Sequence, residues 1–241
     1  MNDLAVTSLA GLLAGVINSL TGFGSAIILM LFMPGMLGIT AGASVTSSIC
    51  IGLNAVTAWQ YKGSIVRRIS LICSFFYLLV SLTIINFVGD MDLRALSAGF
   101  GGFLLLLSLY FLFFSNKLVL RATLPTLIIC GLLSGIGGGL FSIGGPLLAV
   151  VCLNATSSRE EYVGTIQSVF LMTGIPNFIL RIAKGLYTPN MIPLTLLGFA
   201  FALIGKALGK KLSEKMDGAT LKKLIYLYIG FAGAVNIIKN I

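Results

Sequence analysis

The residues of this sequence that could do chemistry are mostly small and uncharged, and they lie in two glycine-rich clusters. Glycines let the backbone turn sharply and expose its N–H groups, and a helix that begins at such a turn presents partial positive charge there. Serine, threonine and asparagine side chains add neutral hydrogen bonds. This combination suits a small oxyanion and needs no buried lysine or arginine. The clusters are Asn18, Ser19, Thr21, Gly22, Phe23, Gly24 and Ser25, and Gly137, Gly138, Gly139, Ser142, Gly144, Gly145 and Pro146.

Further polar residues lie in the apolar segments that follow the clusters. Thr46 follows the first cluster, and Gln167, Ser168 and Asn177 follow the second. Threonine and serine often bond to the backbone of their own helix, whereas glutamine and asparagine are costlier in lipid and so are stronger candidates for substrate contacts. Arg181 either extends to the outer membrane interface or attracts an anion to the outer mouth of a pathway. For the glycines, the alternative to a binding role is close packing of membrane helices.

Several other chemistries are excluded or disfavoured. The sequence has no histidine, which excludes histidine zinc sites and histidine acid–base catalysis. The acidic residues lie in predicted loops or chain ends, so we expect neither a cation substrate nor a carboxylate proton relay within the membrane. The four cysteines lie in apolar stretches without metal-ligand spacing, which predicts buried, inert thiols. We therefore expect no enzyme activity, no metal and no cofactor.

The composition is that of a membrane protein. Of 241 residues, 57% are hydrophobic and 10% are charged, whereas soluble domains contain about 25% charged residues. The net charge of +9 comes from short loops between apolar runs, so it indicates membrane topology rather than nucleic-acid binding. A helix needs about 20 residues to cross a bilayer. Uncharged runs that supply such spans are 4–33, 40–61, 69–89, 95–116, 124–153, 162–180, 185–205 and 224–238.

Two of these runs are too long for one helix, and the glycine clusters break them. The first run divides at residues 21–25, and its boundary with the next span lies at residues 33–38. The second divides into helices at 124–138 and 142–153. Irregular backbone at membrane depth persists only where protein or water satisfies its polar groups, so these breaks are the best candidates for a substrate site. The sequence leaves open whether each broken segment is re-entrant or crosses twice.

The two halves of the sequence resemble each other. Residues 11–15 match residues 131–135 at a separation of 120, and later matches drift to a separation of 125. This pattern predicts a first repeat at 1–114, a linker at 115–121 and a second repeat at 122–241. Each repeat is expected to contain a broken, glycine-rich helical hairpin followed by three transmembrane helices.

The distribution of basic residues predicts how the repeats are oriented, because lysine and arginine favour the cytoplasmic side. If each broken segment leaves the membrane on the side where it enters, twelve of the sixteen basic residues share one face. If each broken segment crosses once, the split is eight to eight. The first arrangement gives each repeat an odd number of crossings, so the repeats are inverted. It places both chain termini outside and the linker in the cytoplasm.

Two motifs resemble the paired glycine-rich signatures of the TauE/SafE family. They are Gly11-Leu-Leu-Ala-Gly with Thr21-Gly-Phe-Gly-Ser, and Gly131-Leu-Leu-Ser-Gly-Ile-Gly-Gly-Gly-Leu-Phe-Ser-Ile-Gly-Gly-Pro146. Residues 160–165 are similar to the Gly-Thr element that follows the second signature. The resemblance spans nearly the whole chain. It implies a permease for sulfite, sulfonates such as sulfoacetate, or related small sulfur-containing anions, working in either direction.

The sequence therefore predicts an all-α, multi-pass transporter in the plasma or inner membrane that moves a small anion by alternating access. Its expected partners are the anion and the lipid bilayer, with a homo-oligomer as a further possibility and no nucleic acid. The alternatives are an anion channel and a membrane subunit without transport activity of its own. The candidate substrate-binding residues are Asn18, Thr21, Gly22, Gly24, Ser25, Thr46, Gly138, Gly139, Ser142, Gly144, Gly145, Gln167, Ser168, Asn177 and Arg181.

Overall fold

The chain folds into apolar α-helices joined by short turns. The computed structural model describes residues 3–113 and 123–213, and these contain nine α-helices and no strand. The last predicted span at 224–238, the linker and both chain ends lie outside the described residues. The helices are α1 (Asp3–Thr21), α2 (Ser25–Leu37), α3 (Ile39–Gln60), α4 (Arg67–Val88), α5 (Leu93–Phe113), α6 (Leu124–Phe141), α7 (Gly145–Ala155), α8 (Arg159–Ala183) and α9 (Ile192–Ser213).

Six of the described segments are long and apolar enough to cross a membrane. They are α1, α3, α4, α6, α8 and the segment Pro189–Lys211, which contains most of α9. In contrast, α2 has 13 residues and α7 has 11, whereas a crossing helix needs about 20. The structure confirms an all-helical membrane architecture in which two long helices, α1 and α6, are each followed by a short one.

The first break lies where its glycines predict it. The two glycines between α1 and α2 both have positive φ angles, 76° at Gly22 and 90° at Gly24. Residues with a Cβ rarely adopt this conformation, so the turn favours glycine. The following helix is longer than expected, because α2 continues past Met33 and stops at the left-handed Gly38.

The second break lies three residues later than the sequence predicts. The expected helix end before Gly139 is wrong, because α6 continues to Phe141, and the expected helix start at Ser142 is wrong, because α7 begins at Gly145. The glycines near the end of α6 stay helical because they pack closely on α4: a Cβ on Gly139 would lie 2.8 Å from Ile84 Cβ. The break consists of residues 142–144, and Ser142 has a left-handed φ of 58°.

The two halves interlock through their long helices. α1 packs along α9, α6 packs along α4, and α3 packs along α8. Gly15 of α1 lies against the backbone of Ala202, and Gly135 of α6 lies against the backbone of Tyr77 in the same way. The two glycines are 120 residues apart and their partners are 125 apart, which are the separations at which the sequence repeats. The first helix of each half thus packs on an equivalent helix of the other half.

Candidate functional site

A small cavity lies where the two short helices begin. Its volume is about 60 Å³, which is room for roughly four to six water-sized groups. Side chains from α3, α4 and α8 complete its wall, and none of the described residues that line it is acidic. The polar side chains on the wall are Ser25, Ser47, Asn54, Tyr77, Ser142, Thr173 and Asn177.

The starts of α2 and α7 both line this cavity. α2 contributes residues 25–27 together with the preceding Gly24, and α7 contributes Gly145 together with the preceding Gly144. A Cβ on Gly145 would lie 3.4 Å from the ring of Phe23, so the two helix starts are neighbours. The first N–H groups of a helix have no partner within the helix, and the aligned peptide dipoles add partial positive charge there. Two such ends make the cavity electropositive, although no charged side chain from the described part of the chain lines it.

The carbonyl groups of the first break are held by hydrogen bonds, largely from the other half of the molecule. Gln167 of α8 donates from Nε2 to Gly22 O (2.8 Å), and the Tyr162 hydroxyl donates to Thr21 O (3.0 Å). Thr21 Oγ1 donates in turn to Phe23 O (2.6 Å). These bonds satisfy oxygens that the end of α1 would otherwise leave without partners.

The second break is held in a corresponding way. Arg181 of α8 donates from Nη2 to Gly139 O (2.6 Å), and Ser142 N donates to Gly138 O (3.1 Å). Ser142 Oγ donates to Ala43 O of α3 (2.8 Å). Carbonyl oxygens near the ends of α1 and α6 are therefore occupied, whereas the first amides of α2 and α7 have no partner within their helices and remain for a ligand. This arrangement suits an anion.

Arg181 is completely buried, so the expectation that it extends to the membrane interface is wrong. Its side chain is 0% exposed, and its Nε and Nη1 groups have no hydrogen-bond partner within the described residues. Helical side chains point towards the N-terminus of their helix, which directs this guanidinium from the end of α8 back towards the second break. An uncompensated charge inside a membrane is costly, so its field favours an anion nearby.

The candidate residues from the sequence fall into three groups. Those that line the cavity are Gly24, Ser25, Gly138, Ser142, Gly144, Gly145 and Asn177. Those that do not line it but take part in the bonds that hold the breaks are Thr21, Gly22, Gly139, Gln167 and Arg181.

The third group contacts neither the cavity nor a break carbonyl. Asn18 donates from Nδ2 to Ser25 Oγ over 3.4 Å and so supports the wall from behind. Thr46 is buried, and its hydroxyl has no hydrogen-bond partner within the described residues. Ser168 is half-buried, and its hydroxyl lies 3.9 Å from Met172 Sδ.

Some wall residues were not among the candidates. Ser47, Asn54 and Thr173 lie on the helices that follow the breaks, as the candidates Thr46 and Asn177 do, so their position was a usable signal. Tyr77 carries no such signal, because one tyrosine in the apolar α4 resembles any packed or lipid-facing aromatic residue. Its role on the wall emerges from the fold alone.

Comparison with known proteins agrees with the glycine motifs. A family model described as Sulfite exporter TauE/SafE matches residues 7–236, a range that includes both breaks and every residue that lines the cavity. No curated protein and no solved structure matches the chain. The match covers nearly the whole sequence, and the chain therefore belongs to the TauE/SafE family.

Proposed function

We propose that this protein is a secondary transporter for a small, sulfur-containing anion such as sulfite or an organosulfonate. The anion binds in the cavity at the starts of α2 and α7. The observation that carries the proposal is that carbonyl oxygens near the ends of α1 and α6, among them Gly22 O and Gly139 O, are already bonded while two helix N-termini meet at one cavity. The description of the family makes sulfite the first candidate.

Neutral hydrogen-bond donors replace the hydration shell of the anion. The backbone N–H groups at the starts of α2 and α7 supply partial positive charge. Asn177 adds a side-chain donor: its Oδ1 accepts from Ser81 Oγ (2.9 Å), which leaves its Nδ2 group for a ligand. Such donors hold an anion less tightly than a lysine or arginine in direct contact would, and a transported ion must leave again.

The transport cycle alternates the access of this cavity between the two sides of the membrane. The equivalent packing of α1 on α9 and of α6 on α4 supports two structurally related halves, and inverted repeats with broken helices are typical of transporters. The charge distribution supports inversion, with both termini outside the plasma or inner membrane and the linker at 115–121 in the cytoplasm.

Reconstitution into liposomes tests this function. The purified protein is expected to take up radiolabelled sulfite with saturation, and to show counterflow when the vesicles contain unlabelled sulfite. Uptake without saturation or counterflow would identify an anion channel instead. Absence of flux for sulfite, sulfate, thiosulfate, sulfoacetate and taurine, relative to empty liposomes, would favour a subunit that does not transport by itself.

A further inference from the structure

Tyr77 occupies the end of the cavity at which α7 begins. It lies on α4, its side chain is 5% exposed, and it lines the cavity. A Cβ on Gly138 would overlap its hydroxyl, and a Cβ on Gly144 would overlap its ring. Gly138 before the second break and Gly144 at its end therefore leave room for the tip of this one side chain.

The Tyr77 hydroxyl makes no hydrogen bond to the described residues, although a buried tyrosine hydroxyl normally has a partner. The nearest polar groups for which the structure shows partners are engaged with one another or with α3. Gly138 O accepts from Ser142 N (3.1 Å), and Ser142 Oγ donates to Ala43 O (2.8 Å). The hydroxyl is thus an available donor on the wall of an electropositive cavity.

Helix packing does not explain why this residue is a tyrosine. Ala202 holds the equivalent position in the other half, because it faces Gly15 as Tyr77 faces Gly135. An alanine is sufficient there for the close approach of α1 and α9. The aromatic ring and its hydroxyl are therefore present only in the first half of this pair of equivalent positions, and they extend to the cavity.

We propose that the Tyr77 hydroxyl donates a hydrogen bond directly to the transported anion and fixes it beside the first amides of α7. This inference rests on the proposed function, because it assigns a further contact to the same site. The bond makes the site asymmetric: the α2 side offers amides and small hydroxyls, and the α7 side offers amides and a rigidly held phenol. The anion accepts the hydrogen bond, so the phenol remains protonated and no charge moves.

Replacing Tyr77 with phenylalanine removes the hydroxyl and keeps the ring that packs on Gly138 and Gly144. The binding of sulfite, sulfate, thiosulfate and sulfoacetate to purified wild-type protein and Tyr77→Phe is measured by titration calorimetry. For every anion that the wild type binds, the variant should bind roughly tenfold to a hundredfold more weakly, as expected for a lost hydrogen bond to a charged group. Its melting temperature without anion should stay close to that of the wild type.

Tyr61→Phe is the matched control, because Tyr61 is half-buried and does not line the cavity; its anion affinity should not change.

A second measurement uses the wild-type protein, so it does not depend on whether a variant folds. In wild-type protein whose tyrosines carry ¹³C at Cζ, the Tyr77 resonance should move when sulfite is added. Wild-type affinity in Tyr77→Phe, or an unmoved Tyr77 resonance at saturating sulfite, would overturn the inference. A wild type that binds none of the anions would overturn the proposed function itself.

Discussion

Gly24 and Gly144 stand at the starts of the two short helices, and each must be glycine for a different reason. Gly24 has a φ of 90°, in the left-handed region that costs a residue with a Cβ about 1–2 kcal/mol. Gly144 has a φ of −114°, which any residue adopts, but a Cβ there would overlap the Tyr77 ring. The first glycine allows the turn, and the second leaves space.

Gly24→Val and Gly144→Val should each abolish anion transport while most of the protein stays folded and inserted. Valine strains the turn in the first variant and displaces Tyr77 from the cavity wall in the second. The measurement is sulfite flux into liposomes at matched amounts of protein. Gly99→Val is the control, because a Cβ at this position meets open space outside the cavity. Near-normal flux through both cavity variants would leave these glycines a role in helix packing alone.

Arg181→Met should fold with a stability close to that of the wild type and bind anions more weakly. The substitution removes the desolvation cost of a buried charge, which is several kcal/mol. It also loses one charge-assisted hydrogen bond, which contributes about 1.5–3 kcal/mol, and leaves Gly139 O without its donor, which costs about 1–3 kcal/mol. These effects are of similar size and opposite sign, so the melting temperature without anion should change little. Sulfite affinity should fall, because the positive field and the bond to Gly139 O are lost.

The matched control for Arg181→Met is Arg159→Met. Arg159 is exposed, and its bond to Ser19 O is long at 3.4 Å. This substitution should change neither the melting temperature nor the sulfite affinity appreciably. A clear fall in the melting temperature of Arg181→Met alone would show that the arginine contributes more to folding than its burial costs.

At the residue scale, the sequence identifies many of the important polar residues, but it does not predict the role of each one. Gln167 was a candidate because glutamine is costly in lipid, but its amide bonds Gly22 O rather than lining the cavity. Arg181 lies near a predicted helix end, where either an interface or an interior position is possible until the packing of α6 is known. Tyr77 could not be found, because its importance depends on the glycines of another helix.

At the element scale, α8 holds both breaks in shape. Tyr162 and Gln167 bond the first break from one part of the helix, and Arg181 bonds the second break from the last turn. Cavity-lining residues such as Thr173 and Asn177 lie between these contacts. A displacement of α8 would therefore alter both breaks and the cavity together, as a change of access requires.

Gln167→Ala should weaken sulfite binding although Gln167 does not line the cavity. The substitution leaves Gly22 O buried without its donor, which should lower the free energy of unfolding by about 1–3 kcal/mol. The freed oxygen also leaves partial negative charge two residues before Gly24, which lines the cavity, so affinity should fall several-fold. Calorimetric titration and thermal melts measure the two effects separately. Asn154→Ala removes an exposed amide that bonds its own helix (Val150 O, 3.0 Å) and should change neither. Unchanged affinity in Gln167→Ala would contradict the role of carbonyl bonding at the breaks.

The sequence predicts the position of a helix or a break correctly where one local property, such as an uncharged run or a glycine turn, determines it. Uncharged runs locate the spans, and the left-handed glycines locate the first break. The second break was placed too early, because glycines in α6 can end a helix or allow close packing. The neighbour that decides between these outcomes is Ile84 of α4, which lies far away in sequence. The local pattern contains no information about that contact.

At the scale of the whole molecule, the inverted arrangement makes a direct prediction about sidedness. Single cysteines are introduced at Asn2, Asp90 and Ser213 after removal of the four native cysteines, all of which are buried. An impermeant maleimide added to intact cells should label the variants Asn2→Cys and Asp90→Cys. It should label Ser213→Cys only after the cells are permeabilised, because the basic end of α9 is expected in the cytoplasm. Labelling of Ser213→Cys alone in intact cells would reverse the arrangement.

The sequence repeat does not by itself predict that helices of one half pack on helices of the other half. Matching separations of 120 and 125 residues show that the halves are related. They do not show that α1 packs on α9 rather than on the helices of its own half. Small residues such as Gly15 and Gly135 permit a close approach to any flat helix surface, so the choice of partner depends on the complete fold.

The central claim is that a small oxyanion binds between the starts of α2 and α7. The most direct measurement is a crystal structure of the protein with selenite, a sulfite analogue whose selenium scatters anomalously. We predict an anomalous peak in the cavity within hydrogen-bond reach of the first amides of both helices, beside Ser25 and Gly145. The peak should disappear in Gly144→Val crystals. A selenite peak at another site in the wild type, with the cavity empty at a concentration that saturates binding in solution, would contradict the account.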